Sequence, residues 1–159
     1  MLNFFNITHD LDHGYANLQI DTTTPKIGDT IEPDTKFLSI KYYNQVDLSK
    51  GNITIFQKND RKNIRQIIPG TNDEYIDIID DGNGTTVNVK IIESTFNQFG
   101  GRYYVSIDNN FVKSRIFQEP LRGLNEDVWS FTIRKYIENL SLILNEIELL
   151  VCIYFFNDF

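Results

Sequence analysis

Arg102-Tyr103-Tyr104-Val105-Ser106-Ile107-Asp108-Asn109-Asn110 is the stretch on which the fold turns. Tyr103, Val105 and Ile107 alternate with Arg102, Tyr104 and Ser106, and three turn-forming residues end the run. A period of two sends one set of side chains to a core and the other towards water, which is the mark of a half-buried strand. The same pattern recurs on both sides. Upstream, Leu38, Ile40 and Tyr42 alternate with Ser39 and Lys41, and Ile53 and Ile55 follow Gly51-Asn52. Ile64 to Ile68 closes at Pro69-Gly70, Ile76 and Ile78 alternate with Tyr75 and Asp77, and Val87, Val89 and Ile91 alternate with Thr86, Asn88 and Lys90. Downstream, Trp129, Phe131 and Ile133 alternate with Ser130 and Thr132. Asp81-Gly82-Asn83-Gly84 and Gly100-Gly101 punctuate the runs, and no helical crossover lies between residues 36 and 133. Short, evenly spaced runs without crossovers predict two packed antiparallel sheets. The expected fold is an all-β, immunoglobulin-like sandwich of seven to eight strands. Its core is Leu38, Ile40, Tyr42, Ile53, Ile55, Val87, Val89, Tyr103, Val105, Ile107, Trp129 and Phe131.

The flanks read differently. Residues 1–23 form an N-terminal extension with one strand expected at Tyr15–Ile20, and Thr22-Thr23-Thr24-Pro25 is an extended lead-in to the sandwich at 24–133. Between Arg134 and Phe159 the apolar residues Ile137, Leu140, Leu144, Ile147 and Val151 fall at helical spacing, with Glu138, Glu146 and Glu148 off the stripe. This predicts a C-terminal helix that packs on the sandwich, a partner or a membrane surface; self-association through 136–156 is one form of that reading.

Composition excludes several functions. With 159 residues, 41% hydrophobic and 23% charged, the chain suits one globular domain. A net charge of −7 opposes nucleic-acid binding, because a phosphate backbone requires a concentrated positive field. Arg61, Lys62 and Arg65 make the one tight basic group, facing an acidic neighbourhood at Asp73, Glu74, Asp77, Asp80 and Asp81. Cys152 is the single cysteine, which rules out an internal disulfide, and its apolar surroundings from Leu149 to Phe156 read as inert. Met1–Phe5 is shorter than the apolar region of a signal peptide, and no run of apolar residues is long enough to span a membrane.

The strand order resembles the SbsA-type Ig-like domain, a family named after a bacterial surface-layer protein. Pro25-Lys26-Ile27-Gly28-Asp29 precedes Phe37–Val46, then come Gly51–Ile55, Val87-Asn88-Val89, Tyr103–Asp108, Phe111-Val112 and Trp129-Ser130-Phe131-Thr132. The resemblance covers residues 24–133. It implies a non-catalytic module of secreted and cell-surface proteins, with no catalytic residue and no cofactor to carry over. Asn44-Gln45-Val46 stands where members carry an acidic residue and a proline, Lys113-Ser114 where an aspartate is common, and residues 134–159 match nothing in the family.

Candidate chemistry is sparse. His9-Asp10-Leu11-Asp12-His13 holds potential transition-metal ligands at His9, Asp10, Asp12 and His13, although Gly14 and the absence of a helix cap favour a solvated loop. Asp80-Asp81-Gly82-Asn83-Gly84 has the oxygens of a partial calcium loop and, equally, the composition of a hairpin turn. Asp77 and Asp80 are the paired carboxylates that glycoside hydrolysis would require. Four glycosylation acceptors, at Asn6, Asn52, Asn83 and Asn139, lean towards a secreted origin. Tyr103 or Tyr104 is placed for a tyrosine corner. The leading expectation is a structural or adhesive module, extracellular or cell-surface, whose partner is a protein or polysaccharide. The alternatives are a carbohydrate-binding module using Tyr42 or Tyr43, Tyr75 and Tyr104 as a stacking face, and a small effector or intracellular protein associating through 136–156.

Overall fold

Alternation becomes architecture in a simple way: each run buries one row of side chains and pairs its backbone with the next run. The computed structural model describes residues 12–58 and 63–135. In chain order the strands are β1 (Ile20–Thr24), β2 (Thr30–Ile31), β3 (Phe37–Tyr42), β4 (Val46–Leu48), β5 (Asn52–Gln57), β6 (Asn63–Pro69), β7 (Ile76–Asp80), β8 (Thr85–Lys90), β9 (Arg102–Ile107), β10 (Val112–Ser114) and β11 (Leu124–Ile133). Eight of them have five or more residues. The other three, β2, β4 and β10, are too short for alternation to reveal.

The sheets are β1-β3-β8-β7 and β2-β11-β9-β5-β6, with β4 and β10 forming a separate two-stranded ribbon. Every pairing is antiparallel except β2 with β11, which run parallel. A four-stranded sheet facing a sheet built on three central antiparallel strands is the immunoglobulin-like arrangement. The all-β sandwich expected from alternation is the fold observed. The apolar C-terminal stripe and its expected helix lie outside the described residues.

All twelve expected core residues are buried. Register explains how they meet. Leu38 pairs with Val89 and Ile40 with Val87 in one sheet, while Val105 lies opposite both Ile55 and Trp129 in the other. At the centre Phe96 packs edge-on against Tyr103 and Phe131, at 5.1 and 5.5 Å between ring centres. Such pairs add about 0.5–1.5 kcal/mol each beyond their burial. Trp129, with no solvent exposure, donates its indole N–H to the carbonyl of Pro25 at 2.9 Å. The Tyr103 hydroxyl accepts the backbone N–H of Gln98, five residues upstream at the start of β9, as a tyrosine corner does. Among the described residues every buried side-chain polar atom has a hydrogen-bond partner.

Three local features differ from the sequence reading. Residues 15–19 do not form a strand. The Asp12 carboxylate accepts the N–H groups of Gly14 and Ala16, Asn17 accepts that of Gln19, and Asn17 Nδ2 donates to the Arg122 carbonyl. Side chains of this kind offer the backbone an alternative to a sheet ladder. Second, the sandwich begins before residue 24: β1 is an edge strand, and Tyr15 and Ile20 belong to the core. Third, Arg65 does not face the acidic residues. Its guanidinium donates to the carbonyls of Ser94 and Thr95 and to Asn97, while Gln66 bonds Lys90, Ile92 and Thr95. The loop after β8 is thereby tied to edge strand β6. Arg61 and Lys62 lie outside the described residues.

A braced apolar tip as candidate functional site

The connections after β3, β7 and β10 gather at one end of the sandwich. There β10 turns back through Arg115-Ile116-Phe117-Gln118, and an isolated bridge joins Lys113 to Pro120. Ser114 organises this turn. Its carbonyl accepts the Gln118 N–H at 2.8 Å, its N–H donates to the Glu119 carbonyl at 2.9 Å, and its hydroxyl accepts the Phe117 N–H at 3.2 Å. Gln118 takes a positive φ of 57°, and its side chain spans from Lys113 Nζ to the Arg115 carbonyl.

Arg115 fastens the turn to the sandwich. Nε donates to Asp47 Oδ1 at 2.8 Å, Nη1 to Asp80 Oδ2 at 2.7 Å, and Nη2 to the Val46 carbonyl at 3.0 Å. One guanidinium therefore joins the tip to β4 and β7. Thr85 extends the clamp to β8: its hydroxyl donates to Asp80 at 2.6 Å and accepts the Val46 N–H at 3.1 Å. Hydrogen bonds from Arg115 and then Thr85 hold the Asp80 carboxyl below the usual carboxylate range. Lys41 and the Asn83 N–H do the same for Asp81. The same bonds from Asp80 and Asp47 secure the proton on Arg115.

On this mount sit two unsupported apolar side chains. Ile116 and Phe117 are 76% and 74% exposed, the highest values for large hydrophobic residues among those described. The loop has the hydrogen bonds to stay in one shape yet presents adjacent isoleucine and phenylalanine to water, so their exposure is not explained by packing of the sandwich. Beside it, a broad open concavity of about 1020 Å³ runs along Asp108, Asn109, Arg122, Glu126 and Asp127.

The residues singled out in the sequence do not converge. His9 and Asp10 lie outside the described residues; Asp12 caps its own turn, and His13 Nε2 bonds the Tyr43 hydroxyl at 2.8 Å. Among the described residues no group of three potential ligands is placed to hold a metal ion. In the Asp80–Gly84 turn both carboxylates are committed to cationic side chains, Asp80 to Arg115 and Asp81 to Lys41. Asp77 and Asp80 are three apart on a strand and so point to opposite faces, which separates them as a catalytic pair. Nor do the tyrosines make one platform. Tyr42 is buried, and burial pushes its hydroxyl pKa far upwards. Tyr43 and Tyr75 flank opposite ends of the four-stranded sheet, where Tyr42 pairs with Thr85 and Ile76 with Val89, whereas Tyr104 lies on the other sheet. Of the glycosylation acceptors, Asn83 is exposed, Asn52 donates its side-chain amide to Asp108, and Asn6 and Asn139 lie outside the described residues.

The Arg115 clamp escaped sequence reading because its partners stand 68 and 35 residues away. The tip left a trace. Two adjacent apolar residues cannot share a strand face, and Ile116-Phe117 lie between Arg115 and Gln118-Glu119-Pro120.

No family model matches the chain, and no curated protein matches it. Among solved structures it is similar to CopC from Methylosinus trichosporium OB3b, at 12% identity and a TM-score of 0.49, over 74% of this chain and 93% of that one. Among the described residues no helix is long and apolar enough to cross a membrane.

Proposed function

We propose that the chain is a non-catalytic Ig-like binding module of an extracellular or cell-surface protein, related in kind to the surface-layer domains it resembles. It binds a partner protein through the Ile116-Phe117 tip. The observation that carries this reading is the combination of high exposure and firm bracing at those two residues. A rigid apolar anchor enters a partner pocket without the ordering cost of a mobile loop, and loops at one end of a sandwich are where such folds place recognition. The ion-paired surround of Arg115, Asp47, Asp80, Lys41 and Asp81 then forms a polar rim that excludes water from the anchor.

The test places a photo-crosslinking benzoylphenylalanine at position 117 of the full chain, in the cells that produce it. A discrete adduct is expected, competed by excess unlabelled chain but not by an Ile116→Ser, Phe117→Ser competitor, and absent when the crosslinker sits at exposed Phe37, at the opposite end of β3 from the tip. Adducts that form equally at both positions, or that the double variant competes away, overturn the reading.

A further inference from the structure

The outer face of the five-stranded sheet carries apolar side chains that neither the core nor the tip explains. A sheet with one solvated face presents polar side chains there. The four-stranded sheet largely follows that rule, turning Ser39, Lys41, Asp77, Thr86 and Asn88 outwards, with Phe37 and Ile79 set apart on different strands as its exposed apolar residues. The five-stranded sheet does not. Phe56, which faces away from the core, pairs with Ile64 on one side and Tyr104 on the other, and Thr54 beside them pairs with Ile67. The Phe56 and Tyr104 rings stack at 5.1 Å, and Ile64 and Ile67 are 53% and 52% exposed. Lys58 and Arg102 border this apolar row, sharing with Tyr104, Glu126, Asp127 and Ser130 a hollow of about 290 Å³.

We propose that this face is the docking surface for the chain's own residues 136–159. Three observations name that occupant. The first is where the chain leaves the sheet. β11 lies next to β9, Thr132 pairs with Arg102, and the Ile133 carbonyl accepts the Gly100 N–H, so residue 135 stands at the Lys58–Arg102 end of the row. From β11 to β6 is three strand spacings, about 14 Å. The remaining 24 residues (159 − 135) exceed that distance even at a helical rise, on the order of 36 Å.

The second is apolar spacing: Ile137, Leu140, Leu144, Ile147 and Val151 supply a continuous stripe to match the row. The third is charge. Residues 136–159 carry Glu138, Glu146, Glu148 and Asp158 with no lysine or arginine, and the border at which they enter the face holds the cations Lys58 and Arg102, with Glu126 and Asp127 on the β11 side of the same hollow. The same four carboxylates oppose an anionic membrane. The tip plays no part in this docking, so the two proposals fail separately.

Cys152, the single cysteine, lies inside the segment and serves as the probe. A nitroxide attached to it in the full chain is expected to broaden the NMR amide signals of Thr54, Phe56, Ile67 and Tyr104 most strongly, leaving Ser39, Lys41 and Asn88 sharp. Mixing spin-labelled chain with isotope-labelled, unmodified chain should give no broadening. Broadening centred on the four-stranded sheet, none at all, or broadening in the mixed sample overturns the proposal, the last by showing a second copy on the face. A second measurement holds if the label disturbs folding. Hydrogen exchange in 136–159 should be at least tenfold faster in an Ile64→Asp, Ile67→Asp variant than in the unmodified chain, with β3 and β8 unchanged. Equal rates in the two proteins overturn it.

Discussion

Trp129→Phe isolates the centre of the sandwich. The side chain has no solvent exposure, and its indole N–H shares the Pro25 carbonyl with the Thr23 hydroxyl, which donates to the same oxygen at 2.8 Å. Three terms set the cost. The missing ring volume, on the order of 40 Å³, leaves a cavity worth about 1 kcal/mol at about 24 cal/mol per Å³. Reduced apolar burial contributes about 1 kcal/mol more. The lost hydrogen bond adds only about 0.5 kcal/mol, the low end of the usual range, because Thr23 still serves the carbonyl. The sum is about 2–3 kcal/mol, or roughly 5–10 °C in melting temperature for a chain of this size. Far-UV circular dichroism in urea is the suitable assay, since the substitution removes the only tryptophan. Thr23→Val should cost about 1–3 kcal/mol more in the Trp129→Phe background than in the unmodified protein, because the pair leaves the buried Pro25 carbonyl without a donor. Strict additivity, or a Trp129→Phe cost below about 0.5 kcal/mol, refutes the argument.

Other perturbations have equally definite outcomes. Gly84→Ala should cost about 1–3 kcal/mol, read as a lower urea midpoint, because Gly84 sits at φ 154° and a Cβ there would strike the Tyr42 carbonyl. The Asp80 and Asp81 pKa values are depressed in the folded state, so their contribution is complete above the ordinary carboxylate value, about 4, and is lost as pH falls through the lower folded values. Urea midpoints should therefore drop below about pH 4, and Asp80→Asn should flatten part of that drop. Arg115→Ala should leave the urea midpoint nearly unchanged, because solvent-screened ion pairs contribute little, yet hydrogen exchange at the Gln118 amide should accelerate tenfold or more. Millimolar calcium should leave the melting temperature unchanged, because Arg115 and Lys41 already hold both turn carboxylates; a rise of several degrees would show that calcium displaces them.

Period-two alternation made the sheets legible because each long strand buries one face and wets the other. Leu38-Ser39-Ile40-Lys41-Tyr42 and Tyr103–Ile107 carry that signal without ambiguity. It fails where burial does not alternate. β2 has two residues, while β4 and β10 have three each, and the turn through Tyr15 to Gln19 mimics a strand because its backbone partners are side chains such as Asp12 and Asn17. Arg65 shows the limit for charge. Its nearest acids in sequence suggested that it faces an acidic neighbourhood, whereas topology sets it beside the carbonyls of Ser94 and Thr95. The candidate site was legible only in part, as an irregular pair of apolar residues, since the clamp that gives the pair its shape depends on contacts that only the folded chain creates.

The two apolar surfaces of this sandwich obey different physics. Ile116 and Phe117 gain little by self-burial, because a four-residue turn has no neighbour long enough to cover them, and the Arg115 clamp holds them outward. The Phe56–Tyr104 row is the reverse: a flat, extended surface on regular strands, within reach of an apolar segment of the same chain. The proposed intramolecular cover would remove the larger aggregation hazard and leave the smaller, rigid tip for the proposed partner. The division follows from topology. The strand that carries Trp129 and Phe131 into the core ends at Ile133, at the opposite end of the sheet from the tip, so the two proposals call on different contacts.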